Sequence, residues 1–266
     1  MSRKIGIGII TCNREDLFHR SFSGVPGVDE IVVVNDGSPY SENAYGTKQA
    51  EIIQHKRNRG VGISKNDAFR FLLKKGCEHI FISEDDVQIL DGSVIDEYIR
   101  SAQVTGIGHL NFAYHGPSNK TVAGSPNPKK IVEYPKGVRI ALHGHLAGAF
   151  SYYNAHLLKE IGLIDERFKN AYDHLDHTFQ IIKAGYHPPF GWFADIADSY
   201  RYIRDLDADL TQSIIRKNQL LFRLRYWGYA AYFLAKHGLI VEKVPIATEQ
   251  ELMLALEKLR QTYGGQ

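Results

Sequence analysis

Three carboxylates in a row, Glu84, Asp85 and Asp86, follow directly on the apolar run His79 to Ser83 in the segment FISEDDVQI. Acids so placed repel one another unless something positive sits among them, and a hard divalent cation that takes phosphate oxygens as its other ligands supplies that charge. Three acids after a strand also make an ordinary solvated loop, since exposed carboxylates need no partner. Position argues for the first reading. Polar residues end the other apolar runs too: Thr11, Asn13 and Arg14 after Lys4 to Ile10, then Asn35, Asp36 and Ser38 after Glu30 to Val34, then Asn58 and Gly60 after Glu51 to Gln54. A second group, Asp173, His174, Asp176 and His177, lies far downstream and holds candidates for a base acting on a hydroxyl, or for further metal ligands. Helical spacing predicts Asp173, Asp176 and His177 on one face, with His174 turned about a third of a turn away. Read blandly, the same residues are a helix start with acids favoured by the dipole.

The elements that must position these groups are legible from periodicity. The apolar runs are rich in β-branched residues and read as buried strands. Between the third and fourth, Ile63, Ala68, Phe69, Leu72 and Leu73 approximate helical spacing over Gly62 to Lys75, and Gly76 stops the pattern. Strand, helix and strand in alternation predict a mostly parallel sheet with right-handed crossovers, in which ligands bind beyond the carboxyl ends of the strands. Gly106 to Gly144, with Pro117, Pro126, Pro128 and Pro135, predicts a functional loop or a β excursion. A strand at Ala149 to Tyr153 and helices at Ala155 to Ile161 and Tyr172 to Ala184 follow. The last third reads as helices: Ala208 to Tyr226, continuing toward His237, and Thr248 to Thr262, where Thr248 and Glu251 fit a capping box.

Composition removes several function classes. With 266 residues and 44% hydrophobic content the chain can bury a large core without disulfides, and its two cysteines, Cys12 and Cys77, lack the spacing of a zinc or redox pair. A net charge of +2 argues against a long track for duplex nucleic acid. Gly6 and Gly8 with Asp36 downstream hint at a dinucleotide fold, but these glycines lie inside a strand and no third one opens a helix. No segment offers eighteen uncharged apolar residues, so a cytoplasmic protein is expected, with association of the C-terminal third with a membrane surface left open.

Taken in order, the motifs resemble a family 2 glycosyltransferase of the GT-A fold. IGIGIITCNRE is similar to that family's first strand and turn, VVVNDGS to its second strand with a base-reading aspartate, NRGVGISKNDA to its helix start, and FISEDDVQI to its D-x-D metal motif. HLAGAFSYYNAHLLKEIGLIDERF and YDHLDHTFQIIKAGY resemble the acceptor-side signature. The resemblance covers Lys4 to His187. It implies an α/β fold, a nucleotide-sugar-binding sheet flanked by helices with a helical C-terminal extension: residues 1–200 as the GT-A domain, with a nucleotide half at 1–105 and an acceptor half at 106–200, and residues 201–266 as the extension.

The resemblance also implies roles. Thr11, Asn13, Arg14, Asp36, Asn58, Gly60 and Asn66 line the nucleotide and sugar pocket, Asp36 facing the base and Asp85 lying nearer the sugar. Glu84 and Asp86 hold Mn²⁺ or Mg²⁺, with His177 as a further ligand, and the base falls among Asp173, His174 and Asp176. Two departures stand out: Glu84 replaces the first aspartate of D-x-D, and Asp173-His174-Leu175-Asp176 replaces the usual Glu-Asp-x-Asp. The activity implied is metal-dependent, inverting transfer of a hexose from a nucleoside diphosphate donor, with uridine as the base, to an acceptor hydroxyl on a glycan, protein or modified nucleic acid. The alternative is a nucleotide-sugar-binding or scaffolding protein without turnover.

Overall fold

The computed structural model describes residues 3–207 and 219–265, so the first part of the helix expected from Ala208, with Asp209, Arg216 and Lys217, lies outside the described residues. The main sheet uses β1 (Ile5–Thr11), β2 (Glu30–Asn35), β3 (Glu51–Gln54), β4 (His79–Glu84), β6 (His109–Asn111) and β9 (Phe150–Asn154), in the order β3-β2-β1-β4-β9-β6. β1 to β4 are parallel, and β9 runs antiparallel to both β4 and β6.

Strand alternation splits the core into two layers. Ile7, Ile9, Val33 and Phe81 face one, while Val32, Val34, Ile80 and Ile82 face the other beneath α2 (Val61–Lys74), α4 (Ala155–Ile161) and α5 (Asp173–Lys183). Gly6 and Gly8 of β1 face α2. A Cβ on Gly8 would stand 2.7 Å from the Ala68 Cβ and one on Gly6 2.6 Å from Leu72, so these glycines let helix and strand approach rather than cradle a dinucleotide.

The first layer is covered by α1 (Glu15–Ser23) and α3 (Val94–Thr105), neither of which the apolar runs announced, and by α7 (Glu249–Tyr263). α7 opens with the expected capping box of Thr248 and Glu251 and sends Leu252, Leu256 and Leu259 into the core. The proline-rich stretch contains β6, β7 (Lys130–Glu133) and β8 (Arg139–His143), and β10 (Phe193–Ile196) completes a second sheet in the order β10-β8-β7. Asp195 ties that sheet to the first layer: buried, it accepts from Tyr98 Oη at 2.6 Å and from the Ala113 N–H at 2.9 Å. β5 (Val87–Ile89) pairs with β11 (Ile203–Asp205), and α6 (Gln219–His237) packs Phe233 on Phe168, Tyr172 and Phe179.

Candidate functional site

The strand order reverses at β1, which has β2 on one side and β4 on the other, so the carboxyl ends of these strands diverge around a crevice. Antiparallel β9 starts where β4 ends, because Phe150 pairs with Ser83, and this brings the turn before it, Gly144 to Ala149, to the same edge. The first residues of α5 close the far side. The result is a cleft of about 740 Å³ lined by Thr11, Arg14, Asp36, Asn58, Glu84, Asp85, Asp86, Asp173 and His174, with Phe222 and Tyr226 of α6 at its wall.

The acidic turn is held by cations of the protein. Arg14 reaches across from the end of β1, pairing with Asp85 through one guanidinium nitrogen and with Asp86 Oδ2 at 3.1 Å through the other. Thr11 Oγ1 donates to Asp85 at 2.6 Å. Burial, with Asp86 adding to it, nevertheless pushes the Asp85 carboxyl up to about 7 against the pull of Arg14. Burial also raises Asp86, while His115 and Arg14 oppose the rise. His115 is itself clamped by Asp205 of β11 at 3.2 Å, which with Asp86 raises its pKa despite burial.

Glu84 belongs to a different ion cluster. Lys65, buried in the first turns of α2, sits 2.7 Å from Glu84 and 3.4 Å from Asp173 and donates to the Gly148 carbonyl at 3.2 Å. Burial alone would raise both carboxyls, but the Lys65 charge overcomes it and holds Glu84 low and Asp173 well below the usual range. His174 stands beside Asp173, Nδ1 to Oδ1 at 3.7 Å, half-buried and facing the cleft. Gly148 lets it lie there: a Cβ at that position would meet the His174 ring carbon at 2.7 Å.

Other residues expected at the site take different places. Asp36 lines the cleft, but its Oδ1 accepts from His55 at 2.6 Å and the Arg59 N–H at 2.7 Å, and its Oδ2 from the Gly60 N–H at 2.8 Å, so it organises the loop before α2. Gly60 has φ +100 and packs under the Lys169 carbonyl, an approach that a side chain would block. Asn13, at φ 51, accepts from the Ser38 N–H and joins two loops. Asn66 is buried and clasps Ile164 through N–H and carbonyl, which fixes the D-E-R-F turn.

The expected common face of Asp173, Asp176 and His177 is not what α5 presents. Because α5 begins at the cleft, Asp173 and His174 point into it, while Asp176 is turned to α6, where Lys236 donates at 2.7 Å and His237 sits at 2.6 Å. His177 is buried beneath α5 against Phe69 and Tyr153, with Nε2 3.1 Å from the Gly162 carbonyl, and does not join Glu84 and Asp86. Lys65 was missed in the sequence, although a lone lysine on the apolar side of a helix is the signal that finds it. His115 and Tyr40, whose hydroxyl meets Thr11 Oγ1 at 2.7 Å and takes the Arg14 N–H, carry no such signal.

No protein-family model and no curated protein matches the sequence. Among solved structures, that of S. aureus TarS 1-349 matches with a TM-score of 0.53 at 17% identity, over 98% of this chain and 81% of that one. TarS 1-349 in complex with UDP matches at 0.54 and 14%, over 98% and 83%. A mannosyltransferase, PcManGT from Pyrobaculum calidifontis in complex with GDP-Man and Mn²⁺, matches at 0.53 and 13%, over 97% and 70%. The chain has a GT-A-like glycosyltransferase fold.

Whether this GT-A-like site suits a divalent cation is tested by its own atoms. Asp86 Oδ1 is buried and without a hydrogen-bond partner, on a side chain that lines the cleft. Among the described residues no group of three or more His, Cys, Asp or Glu is gathered around one point. Such a site fits a cation held by one or two carboxylates that completes its shell with phosphate oxygens, the mode Mg²⁺ and Mn²⁺ adopt with nucleotides.

Proposed function

We propose that this chain is an inverting glycosyltransferase that moves a hexosyl group from a nucleoside diphosphate donor, with uridine as the base, to an acceptor hydroxyl. The observation that carries the reading is the convergence, at the switch point of a GT-A-like sheet, of an acidic turn with an unpartnered Asp86 oxygen and a cleft-facing His174 backed by Asp173. The UDP and the GDP-Man with Mn²⁺ in the two similar structures support a nucleotide donor and a divalent cation here.

Asp86, with Glu84 beside it, would hold Mn²⁺ or Mg²⁺, which would supply neutralisation of charge on the leaving diphosphate. The chain's own residues do the rest. Arg14 adds positive charge at the diphosphate end of the cleft, and Thr11 and Asn58 line the nucleotide's path. His174 takes the proton of the acceptor hydroxyl as that oxygen attacks the anomeric carbon, and the electrons of the breaking glycosidic bond leave on the diphosphate. Asp173, kept ionised by Lys65, is a weak base but a good orienter of the imidazole and stabilises it once protonated.

The test is release of nucleoside diphosphate from a panel of UDP-hexoses with Mn²⁺ and simple sugar acceptors. His174→Ala is expected to lower turnover by about a hundredfold or more while UDP affinity is retained. Full activity in that variant would remove His174 as the base. Tight UDP binding with no release from any donor would instead favour a binding protein without turnover.

A further inference from the structure

α6 has two unlike faces. One packs inward: Phe233 is buried, Lys236 and His237 reach Asp176, Tyr232 Oη donates to Asp165, and Phe222 and Tyr226 line the cleft. The opposite face carries Leu220 at 71%, Leu224 at 62%, Trp227 at 71% and Leu234 at 42% exposure, with exposed Ala231 between the last two. Their spacing of four, three, four and three residues keeps them in one stripe along the helix. Leu239 and Ile240, just past its end, are exposed as well.

Charge decides what this stripe can meet. α6 carries Arg223, Arg225, Lys236 and His237 and no acid. Lys236 and His237 are spent on Asp165 and Asp176, whereas Arg223, which borders the stripe, and Arg225, further round the helix, are exposed and make no ion pair or hydrogen bond with a described residue. Two copies of this chain meeting through the stripe would bring the arginines of both helices to one contact, with no acid on either helix to answer them. A surface that offers apolar depth and negative charge suits both features, and an exposed tryptophan beside arginines is the composition of helices that lie in the headgroup layer. No helix among the described residues is long and apolar enough to cross a membrane.

We infer that α6 docks this protein on an anionic lipid surface, with Leu220, Leu224, Trp227 and Leu234 entering the acyl boundary and Arg223 and Arg225 at the headgroups. Because Phe222 and Tyr226 on the inward face of the same helix line the cleft, docking holds that wall of the cleft about one helix diameter, roughly 10 Å, above the acyl boundary. Resting on the transferase reading, this places the acceptor hydroxyl within about that distance of the lipid surface.

The full chain is floated with vesicles of phosphatidylcholine alone and of phosphatidylcholine mixed with phosphatidylglycerol, at low and high salt. Binding to the mixed vesicles only, weakened by salt, is expected, with a blue shift of Trp227 emission against the constant background of buried Trp192. Leu224→Ser with Trp227→Ser should lower partitioning at least about tenfold, and Arg223→Gln with Arg225→Gln about fivefold per arginine with loss of the salt effect. Since these side chains are exposed, unchanged melting temperatures certify the fold of each variant. Failure to float with anionic vesicles, equal binding to both vesicle types, or binding unaffected by the stripe variants overturns the inference. So does a concentration-dependent dimer in sedimentation that Leu224→Ser with Trp227→Ser abolishes. UDP binding, measured on the same samples without vesicles, reports separately on the nucleotide site, so either reading can fail while the other stands.

Discussion

Lys65 offers the sharpest test of how the site is built, because one buried ammonium holds two carboxylates from different elements. Its side chain is 3% exposed, as is that of Asp173, and the pair lies at 3.4 Å with Glu84 at 2.7 Å on the other side. Lys65→Met keeps most of the stem and removes the charge. Breaking a buried ion pair from one side costs roughly 3–5 kcal/mol, because the remaining charge is left in a poor solvent. At roughly 2–4 °C per kcal/mol for a chain of this size, the melting temperature near neutral pH should fall by roughly 10 °C.

The pH dependence gives the sign. In the native protein burial would raise the Asp173 carboxyl above its ordinary 3.8, but Lys65 and His174 hold it well below. A depressed carboxyl contributes its stability fully above the unfolded pKa and loses it only as pH falls through the folded value, so Asp173 costs the native protein nothing between neutral and mildly acidic pH. In the variant burial acts without Lys65 against it, the folded pKa rises above the unfolded one, and protonation relieves the buried charge. The variant's deficit should therefore shrink as pH falls from about 7.5 to about 5. Differential scanning calorimetry at the two pH values measures it. Equal stability at neutral pH, or a deficit that grows on acidification, would refute the account of Lys65.

UDP should bind at least about tenfold more tightly with Mn²⁺ than with a chelator, and Asp86→Asn should erase the difference; calorimetric titration in both conditions checks this. Gly148→Ala pushes a methyl to within 2.7 Å of the His174 ring carbon and should lower turnover by between about tenfold and a hundredfold through misplacement, with UDP affinity changed by no more than about twofold. Asp176→Asn loosens α6, since Lys236, His237 and Gln180 all meet that carboxylate, and should cost about 2–3 kcal/mol in denaturant unfolding. Turnover per folded molecule should survive it, in contrast to His174→Ala.

The parallel strands were legible because β1, β2 and β4 are buried on both faces and read as unbroken apolar runs. The second sheet was not. β7 buries no residue and only half-covers alternate ones over Lys130–Glu133, and β10 finds its partner β8 some fifty positions earlier, a long-range pairing that no local pattern encodes. α3 was legible in principle: Val94, Ile95, Tyr98, Ile99 and Ala102 keep helical spacing, and Gly106 ends the helix at φ +75. At the site, the polar strand ends announced the crevice, but not which polar groups face it. Asn66 has the type and position of a ligand contact yet spends its hydrogen bonds on Ile164, while Asp36 lines the cleft and also accepts from the Arg59–Gly60 turn. Spacing along α5 suggested a face shared by Asp173 and Asp176. Where the helix starts relative to the cleft decided otherwise, and that depends on tertiary packing.

In the sequence, repulsion among Glu84, Asp85 and Asp86 points to a cation. The structure answers most of that repulsion with the protein's own charges: Lys65 for Glu84, Arg14 for Asp85 and one oxygen of Asp86, and His115 nearby. Repulsion between acids is therefore only part of what calls for a metal. What remains unanswered is Asp86 Oδ1, and a diphosphate entering the cleft would add its own negative charge next to that oxygen. Arg14 alone cannot serve both the acids and the diphosphate. On this reasoning the demand for a divalent cation arises with the nucleotide, so Mn²⁺ and UDP should bind as coupled ligands, each raising the affinity of the other by the same factor.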